Sequence, residues 1–156
     1  MSNDAGSKTD EGNSVRYTVF TCLTYIFAIN IDLVKEVLAH PRLTRVPNVK
    51  SYINGVFNLR GKIYTIIDIQ RLFKVGTGED RENSMVILIG RPSETLGIAV
   101  DQVNEMITIA DREIEKPGQE IPPAFSAYVS GYCDKNDARI YIINVANLIR
   151  HDLGLN

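Results

Sequence analysis

Apolar residues recur along most of this chain with the two-residue period of β-strands, and turn residues interrupt them at short intervals. Between residues 25 and 31, Phe27, Ile29 and Ile31 alternate with smaller or polar residues, which places the large side chains on one face of an extended segment. Residues 85–89 form a continuous apolar run, typical of a strand that is buried on both faces. Many short strands and few helical patterns predict a mainly β protein built as two small antiparallel barrels.

The clearest strand, turn and strand pattern spans residues 52–73. β-branched and aromatic residues favour strands on both sides, and the sequence between them, Asn58-Leu59-Arg60-Gly61, has the composition of a tight turn. Gly61 adopts a positive φ at no steric cost, so the chain can reverse there with Arg60 at an exposed corner. A guanidinium suits a carboxylate partner and stays protonated. Arg60 is therefore a candidate recognition residue, although such a motif alone is more often an ordinary solvated turn.

Much of the chain occurs twice. Adding 76 to the residue number maps Tyr52 onto Tyr128 and Gly55 onto Gly131. Upstream, adding 69 maps Asp32, Val34 and Glu36 onto their counterparts, so both halves contain Asp-x-Val-x-Glu. These repeats predict an internal duplication of one β-rich unit. Chance similarity among Ile/Val-rich strands is the alternative, and it accounts poorly for the repeated motif. The further matches are Ile66, Ile67 and Leu72 with Ile142, Ile143 and Leu148, and Asp101, Val103 and Glu105 complete the second motif.

The segment after Asp32 is ambiguous. Asp32 could cap a short helical turn, whereas Val34 and Glu36 would share a face only in a strand. Residues 43–47 predict a short edge strand, residues 74–84 a loop and residues 146–153 a closing helix. The polar residues 1–14 predict a disordered tail. Residues 15–156 are predicted to form one domain, with barrels at about 15–80 and 85–150 and exchange of strands between them left open.

Composition narrows the class of protein. The 156 residues are 44% hydrophobic, and 17 basic against 19 acidic side chains give a net charge of -2. This charge does not favour a broad phosphate-binding surface for nucleic acid. Cys22 and Cys133 are isolated in apolar strands and predict reduced core residues. No apolar run reaches the roughly 18 residues of a membrane span, and the protein is predicted to be cytoplasmic.

Candidate catalytic and metal-binding chemistry is sparse. His40 and His151 have no Cys or acidic cluster at metal-ligand spacing. Asp32, Asp68 and Asp101 could in principle act as acid and base, but each lies at an element boundary where capping is the ordinary role. No nucleophile elbow or phosphate-binding glycine loop occurs in the sequence. The prediction is a protein that is not an enzyme and has no metal or cofactor.

Six segments of the chain together form a specific pattern: Ile31-Asp32-Leu33-Val34-Lys35-Glu36-Val37, Thr44-Arg45-Val46-Pro47, Tyr52-Ile53-Asn54-Gly55-Val56-Phe57-Asn58-Leu59-Arg60-Gly61, Ile66-Ile67-Asp68-Ile69, Gly97-Ile98-Ala99-Val100-Asp101-Gln102-Val103 and Tyr128-Val129-Ser130-Gly131. Through these segments the chain resembles the CheW family of chemotaxis coupling proteins, from about residue 17 to residue 153. The family's fold of two SH3-like five-stranded barrels agrees with the duplication.

The resemblance implies a non-enzymatic adaptor that links the regulatory domain of a CheA-type histidine kinase to the cytoplasmic tips of methyl-accepting chemoreceptors, recruited to membrane-bound receptor clusters. It assigns receptor binding to Val34, Glu36, Val37 and Arg60. It assigns kinase docking to an apolar edge that contains Ile29 and Ile31. Structural roles are expected for Asn58 and Gly61 at the turn and for the paired glycines Gly55 and Gly131.

Within this assignment Glu36 is expected to hold Arg60 in place. Position 60 maps onto Asn136, so the second half keeps Glu105 but has no opposing arginine. Only the first half is therefore expected to bind receptor.

Two alternatives remain open from the sequence. One is a coupling protein of a related gliding or pilus pathway. The other is a free-standing SH3-like module that binds a small ligand or an oligonucleotide, although an aromatic content of 8% without Trp disfavours base stacking.

Overall fold

The computed structural model describes residues 13–76 and 84–152. Residues 1–12 of the predicted tail, residues 77–83 of the predicted loop and the last residue of the predicted closing helix lie outside this part of the chain, while Ser14 already belongs to a strand. The strands are β1 (Ser14–Cys22), β2 (Tyr25–Asn30), β3 (Val34–Ala39), β4 (Ile53–Leu59), β5 (Lys62–Asp68), β6 (Met85–Arg91), β7 (Glu94–Val100), β8 (Gln102–Ala110), β9 (Val129–Lys135) and β10 (Ala138–Ile143). The helices are α1 (Ile69–Leu72) and α2 (Val145–Asp152), and 3₁₀ turns span Ile31–Leu33, Asp111–Glu113 and Ser126–Tyr128.

The strands form two five-stranded sheets, which confirms the predicted mainly β fold. Sheet A has the order β8-β1-β2-β10-β9, and sheet B has the order β3-β6-β7-β5-β4. Sheet A therefore combines the first two strands of the chain with its last three, while sheet B takes all five of its strands from the middle of the chain. Each half of the chain contributes strands to both sheets.

The two sheets are equivalent, as the predicted duplication requires. Replacing β8, β1, β2, β10 and β9 by their counterparts β3, β6, β7, β5 and β4 converts one strand order into the other. Each sheet contains one parallel pair, β10 with β2 in sheet A and β5 with β7 in sheet B. A backbone hydrogen bond is also repeated, because Asp68 N donates to Tyr52 O and Asn144 N donates to Tyr128 O, both at 2.8 Å.

The main hydrophobic core lies between the sheets and takes residues from both. Phe27 is completely buried there, and the ring centroids of Phe20, Phe73 and Phe125 lie 5.3–5.4 Å from its own. Alternate residues of the same strands point away from this core into two smaller ones, one inside each barrel. Strands buried on both faces explain the continuous apolar runs of the sequence.

The predicted structural glycines permit a close backbone approach. A Cβ on Gly55 would lie 2.6 Å from Thr44 O, and a Cβ on Gly131 would lie 2.7 Å from Glu115 O. In each sheet the loop before the hairpin forms a single bridge to the edge strand at this point, Thr44 with Val56 and Glu115 with Tyr132. The glycines therefore let each loop cover an exposed strand edge.

Several sequence predictions need correction. Residues 43–47 form no strand, only the bridge at Thr44, because prolines at 41 and 47 lack the N–H that a ladder requires. The cap of the first 3₁₀ turn is Asn30, whose Oδ1 accepts from Asp32 N at 2.9 Å, and not Asp32. Ile29, which the resemblance assigns to an apolar docking edge, has its side chain completely buried in the shared core.

Other predictions hold. Asp68 caps α1, since its Oδ1 accepts from Gln70 N at 2.9 Å. Cys22 and Cys133 are buried and form no disulfide.

Replacing Phe27 by Ala should destabilise the protein by about 3–5 kcal/mol, because the cavity would open at the centre of the aromatic cluster. The free energy of unfolding in urea measures this. Ile63, which is 67% exposed, provides the control, and Ile63→Ala should change the free energy by about 0.5 kcal/mol or less. A similar small loss for both variants would contradict the shared-core account.

Candidate protein-binding site

The predicted turn between β4 and β5 is present and consists of two residues. Arg60 has φ 52° and Gly61 has φ 85°, and Asn58 Oδ1 accepts a hydrogen bond from Gly61 N at 3.2 Å. Two successive positive φ values give a turn whose twist matches that of the flanking strands. The chain therefore reverses within two residues and places Arg60 at the corner.

Arg60 is an unusual residue for this backbone conformation. Turns of this type prefer Asn, Asp or Gly, because other side chains clash with the backbone at positive φ. The equivalent hairpin between β9 and β10 follows that preference, with Asn136 at φ 53° and Asp137 at φ 62°. Local turn stability therefore does not explain an arginine at position 60, which favours a role for its side chain.

Glu36 on β3 holds the guanidinium of Arg60. Arg60 Nη1 and Nη2 donate to the two carboxylate oxygens of Glu36 at 3.0 and 3.5 Å. These hydrogen bonds, and then the charge of Glu36, raise the pKa of Arg60 above its usual value. The Arg60 side chain is 74% exposed, so solvent screens the pair and its contribution to stability is small. Its effect is to orient the guanidinium while leaving other N–H groups accessible.

The strand that carries Glu36 begins directly after a 3₁₀ turn. Residues Ile31–Leu33 form the turn and β3 starts at Val34, so both interpretations of this segment are partly correct. Val34 is half-buried, and Val37 is 39% exposed. Of the predicted receptor-binding residues, the structure brings Glu36 and Arg60 into contact and places the two valines beside Glu36 on the same strand.

A second pair, which is not among the residues predicted from the sequence, lies next to this one. Lys35 Nζ donates to the hydroxyl of Tyr64 at 3.0 Å and lies 5.2 Å from the centre of its ring. Tyr64 is 7% exposed and belongs to the smaller core enclosed by sheet B, which curls into a barrel that is called barrel B below. The signal in the sequence was a tyrosine at a barrel-facing position, because a buried hydroxyl needs a hydrogen-bond partner.

These contacts join the two edges of sheet B. β3 and β4 lie at opposite ends of the strand order, yet residues 35 and 36 of β3 reach Tyr64 and Arg60 of the β4–β5 hairpin. In sheet A a contact of the same kind joins β9 to β8, where Lys135 Nζ donates to Thr108 O at 3.2 Å. Each sheet therefore curls into a closed barrel. The candidate site lies where the two edges of barrel B meet, at β3 and the β4–β5 hairpin.

The predicted kinase-docking residues separate in the structure. Ile31 is half-buried in the 3₁₀ turn before β3, whereas Ile29 contributes no exposed surface. Within residues 13–76 and 84–152 there is no group of three or more His, Cys, Asp or Glu suited to a metal ion.

No helix in the described part of the chain has the length and hydrophobicity to cross a lipid bilayer.

Comparison with known proteins gives a consistent result. The family model described as a CheW-like domain matches residues 16–153. The chemotaxis protein CheW of Klebsiella aerogenes is 27% identical over 134 residues, covering 85% of this chain and 80% of that protein. The chemotaxis protein CheW of Helicobacter pylori is 26% identical over 95% of this chain and 90% of its own length. The crystal structure of the scaffolding protein TtCheW from Thermoanaerobacter tengcongensis superposes with a TM-score of 0.76 at 30% identity, covering 83% of this chain and 88% of that one.

The turn itself provides a test of what Arg60 is for. Arg60→Asn should fold with a thermal midpoint equal to or slightly above that of the wild type, because Asn adopts positive φ more readily and already occupies the equivalent position 136. Thermal unfolding followed by circular dichroism measures this. A clear fall in the midpoint would show that Arg60 serves the stability of the turn.

Proposed function

The chain belongs to the CheW-like domain family, and we propose that it is an adaptor of chemotaxis signalling that couples a histidine kinase to chemoreceptors. The match to the family model spans residues 16–153, and the relatives found are named chemotaxis proteins or a scaffolding protein. The structure adds a rigid fold with an oriented exposed cation. Such a surface suits protein recognition.

The proposed receptor contact is the surface formed by Val34, Glu36, Val37 and Arg60. The observation that supports it best is the arginine at a positive φ, because this residue is unfavourable for the turn and yet is held by two hydrogen bonds. Val37 adds exposed apolar area beside the charged pair. A cation next to an apolar patch is a common centre of protein interfaces.

The proposed kinase contact is the 3₁₀ turn that carries Ile31. Ile29 cannot supply it through its side chain, but it anchors the end of β2 from which the turn departs. We infer that the regulatory domain of a CheA-type kinase docks here and that the adaptor acts at the cytoplasmic tips of methyl-accepting receptors. In this role the chain carries out no catalysis, and residues 15–156 act as one unit.

The alternative functions have less support. The relatives reported above are named as chemotaxis proteins, which favours chemotaxis over gliding or pilus control. A free-standing module for a small ligand or an oligonucleotide would also need a site of its own, and the paired charges at the corner of barrel B suit a protein surface instead.

Binding to the two partners, measured separately, tests the proposal. Arg60→Ala should weaken binding to a purified receptor cytoplasmic tip by roughly tenfold or more, while binding to the kinase regulatory domain and the thermal midpoint stay unchanged. Isothermal titration calorimetry measures both affinities. If the wild type binds neither partner, the family likeness concerns the fold alone and the adaptor function is wrong.

The duplication supplies a matched control for the receptor site. Glu36→Lys should abolish the pairing with Arg60 and weaken receptor binding by roughly tenfold or more. Glu105→Lys makes the same change of charge at the equivalent position, where Asn136 replaces the arginine, and should leave receptor affinity unchanged. Equal losses in the two variants would contradict a site confined to barrel B.

A further inference from the structure

Acidic and basic residues are unevenly distributed along this chain, although its net charge is close to zero. No acidic residue occurs between Glu36 and Asp68, although the whole chain carries a net charge of -2. This acid-free stretch contains β4, β5 except for its last residue, the loop before them and the hairpin turn. Its basic residues are Arg42, Arg45, Lys50, Arg60 and Lys62. The hairpin that carries Arg60 and the loop before it are therefore a cationic segment of barrel B, and such a segment attracts anionic partners.

Lys35 is a second cation that reaches the β4–β5 hairpin, and a β-bulge in β3 explains how. Val34 pairs with Ile89 and Glu36 with Leu88, so Lys35 is an extra residue in β3. A bulge breaks the alternation of side-chain directions along a strand. Consecutive residues can therefore reach the same hairpin, as Lys35 does through Tyr64 and Glu36 does through Arg60.

Tyr64 fixes the position of the Lys35 ammonium group without neutralising it. The phenol hydroxyl is a neutral acceptor at 3.0 Å, and the ring lies beneath the ammonium at 5.2 Å. Among the described residues, Lys35 makes no ion pair with an acidic side chain. Tyr64 also lies within electrostatic reach of Arg60, whose pKa is raised mainly by Glu36 and to a smaller extent by Tyr64. Tyr64 therefore contacts Lys35, and both cations reach the hairpin at which the edges of barrel B meet.

We propose that Lys35 and Arg60 together bind a carboxylate side chain of the receptor, with Tyr64 as the residue that positions Lys35. This proposal rests on the receptor-binding function proposed above and specifies the chemistry of the receptor surface. Glu36 occupies one edge of the Arg60 guanidinium, and the remaining N–H groups are available to a second carboxylate. The ammonium of Lys35 has two donors left after its hydrogen bond to Tyr64.

The second copy of the unit lacks this arrangement. Adding 69 to position 35 gives Asn104, and adding 76 to positions 60 and 64 gives Asn136 and Ile140. Both cations and the tyrosine are therefore replaced, while Glu105 is kept. The recognition of a carboxylate belongs to barrel B alone, which gives an adaptor with two equivalent barrels a single receptor-binding end.

Charge removal at Lys35 tests the proposal directly. Lys35→Gln should weaken binding to the receptor tip by about threefold to tenfold and should make the affinity less dependent on salt concentration, since one screened ion pair is lost. Lys116→Gln is the matched control, because it makes the same charge change at an exposed lysine on the other barrel. Equal affinities for the two variants would overturn the role of Lys35.

A double-mutant cycle separates positioning from direct contact. Tyr64→Phe keeps the ring and removes the hydroxyl, so it should weaken receptor binding by about twofold to fivefold without lowering binding to the kinase domain. In the Lys35→Gln background the same change should have no further effect, because Tyr64 acts through Lys35. Full additivity of the two losses would show that Tyr64 does not act through Lys35.

The carboxylate is identified from the receptor side. Each acidic residue of the receptor tip is replaced by its amide, and every variant is titrated against the wild type and Lys35→Gln. At one acidic position, the amide replacement should weaken binding to the wild type but should have no further effect on binding to Lys35→Gln. If no position couples to Lys35 while Arg60→Ala still abolishes binding, the carboxylate site is wrong and the receptor-binding function stands. If the wild type binds no receptor tip, both are wrong.

Discussion

The packing of both sheets against one shared core is the constraint on which the rest of the structure depends. Phe27 of sheet A contacts Phe73, which follows α1 at the end of sheet B, and Phe125, which lies in the loop between β8 and β9. The strands of each barrel also bury their other face inside that barrel. Separating the two sheets would expose the aromatic residues of the shared core to water. At about 25 cal/mol for each Å² of apolar surface, this would cost many kcal/mol. The hairpin corners project from this fixed base, so they are held rigidly.

Duplication gives this rigid base two equivalent corners with different properties. The corner at Asn136 and Asp137 follows the usual chemistry of its turn, whereas the corner at Arg60 does not. Natural sequences break local rules mostly where another requirement prevails. The two corners can be compared directly within one chain, because Arg60 and Asn136 have nearly the same backbone conformation and differ in their side chains. The arginine at position 60 therefore supports assigning the proposed binding role to the first corner.

The sequence predicts the fold class, the duplication and the turn at Arg60 because each depends on local chemistry or on simple repetition. It does not predict which strands pair, since a period of two residues places side chains on faces but leaves the neighbouring strand undetermined. This is why exchange of strands between the barrels stayed open. The burial of Ile29 meets the same limit, because alternation identifies a buried face but does not reveal that both faces of β2 are covered.

Lys35 illustrates a different limit of sequence reasoning. Regular alternation would place Lys35 and Glu36 on opposite faces of β3, and only the observed register reveals the bulge that lets both reach one hairpin. The Glu36–Arg60 pair was predictable because it follows from opposite charges at matching positions of the family resemblance. Tyr64 was not singled out, since a tyrosine in a strand pattern is ordinarily a core residue, and here it is a core residue that also holds a cation.

The arrangement of the two proposed contacts follows from the shortness of the segment that carries them. Ile31 and Val37 are six residues apart, so at about 3.3 Å per residue their backbones lie at most roughly 20 Å apart. A kinase domain on the 3₁₀ turn and a receptor tip on β3 would therefore be immediate neighbours. Because β3 is bound to β6 in a sheet that packs on the shared core, the segment has little freedom to move. With both proposed contacts occupied, the adaptor would hold its partners side by side, and fixed geometry rather than a conformational change in the adaptor would carry the coupling.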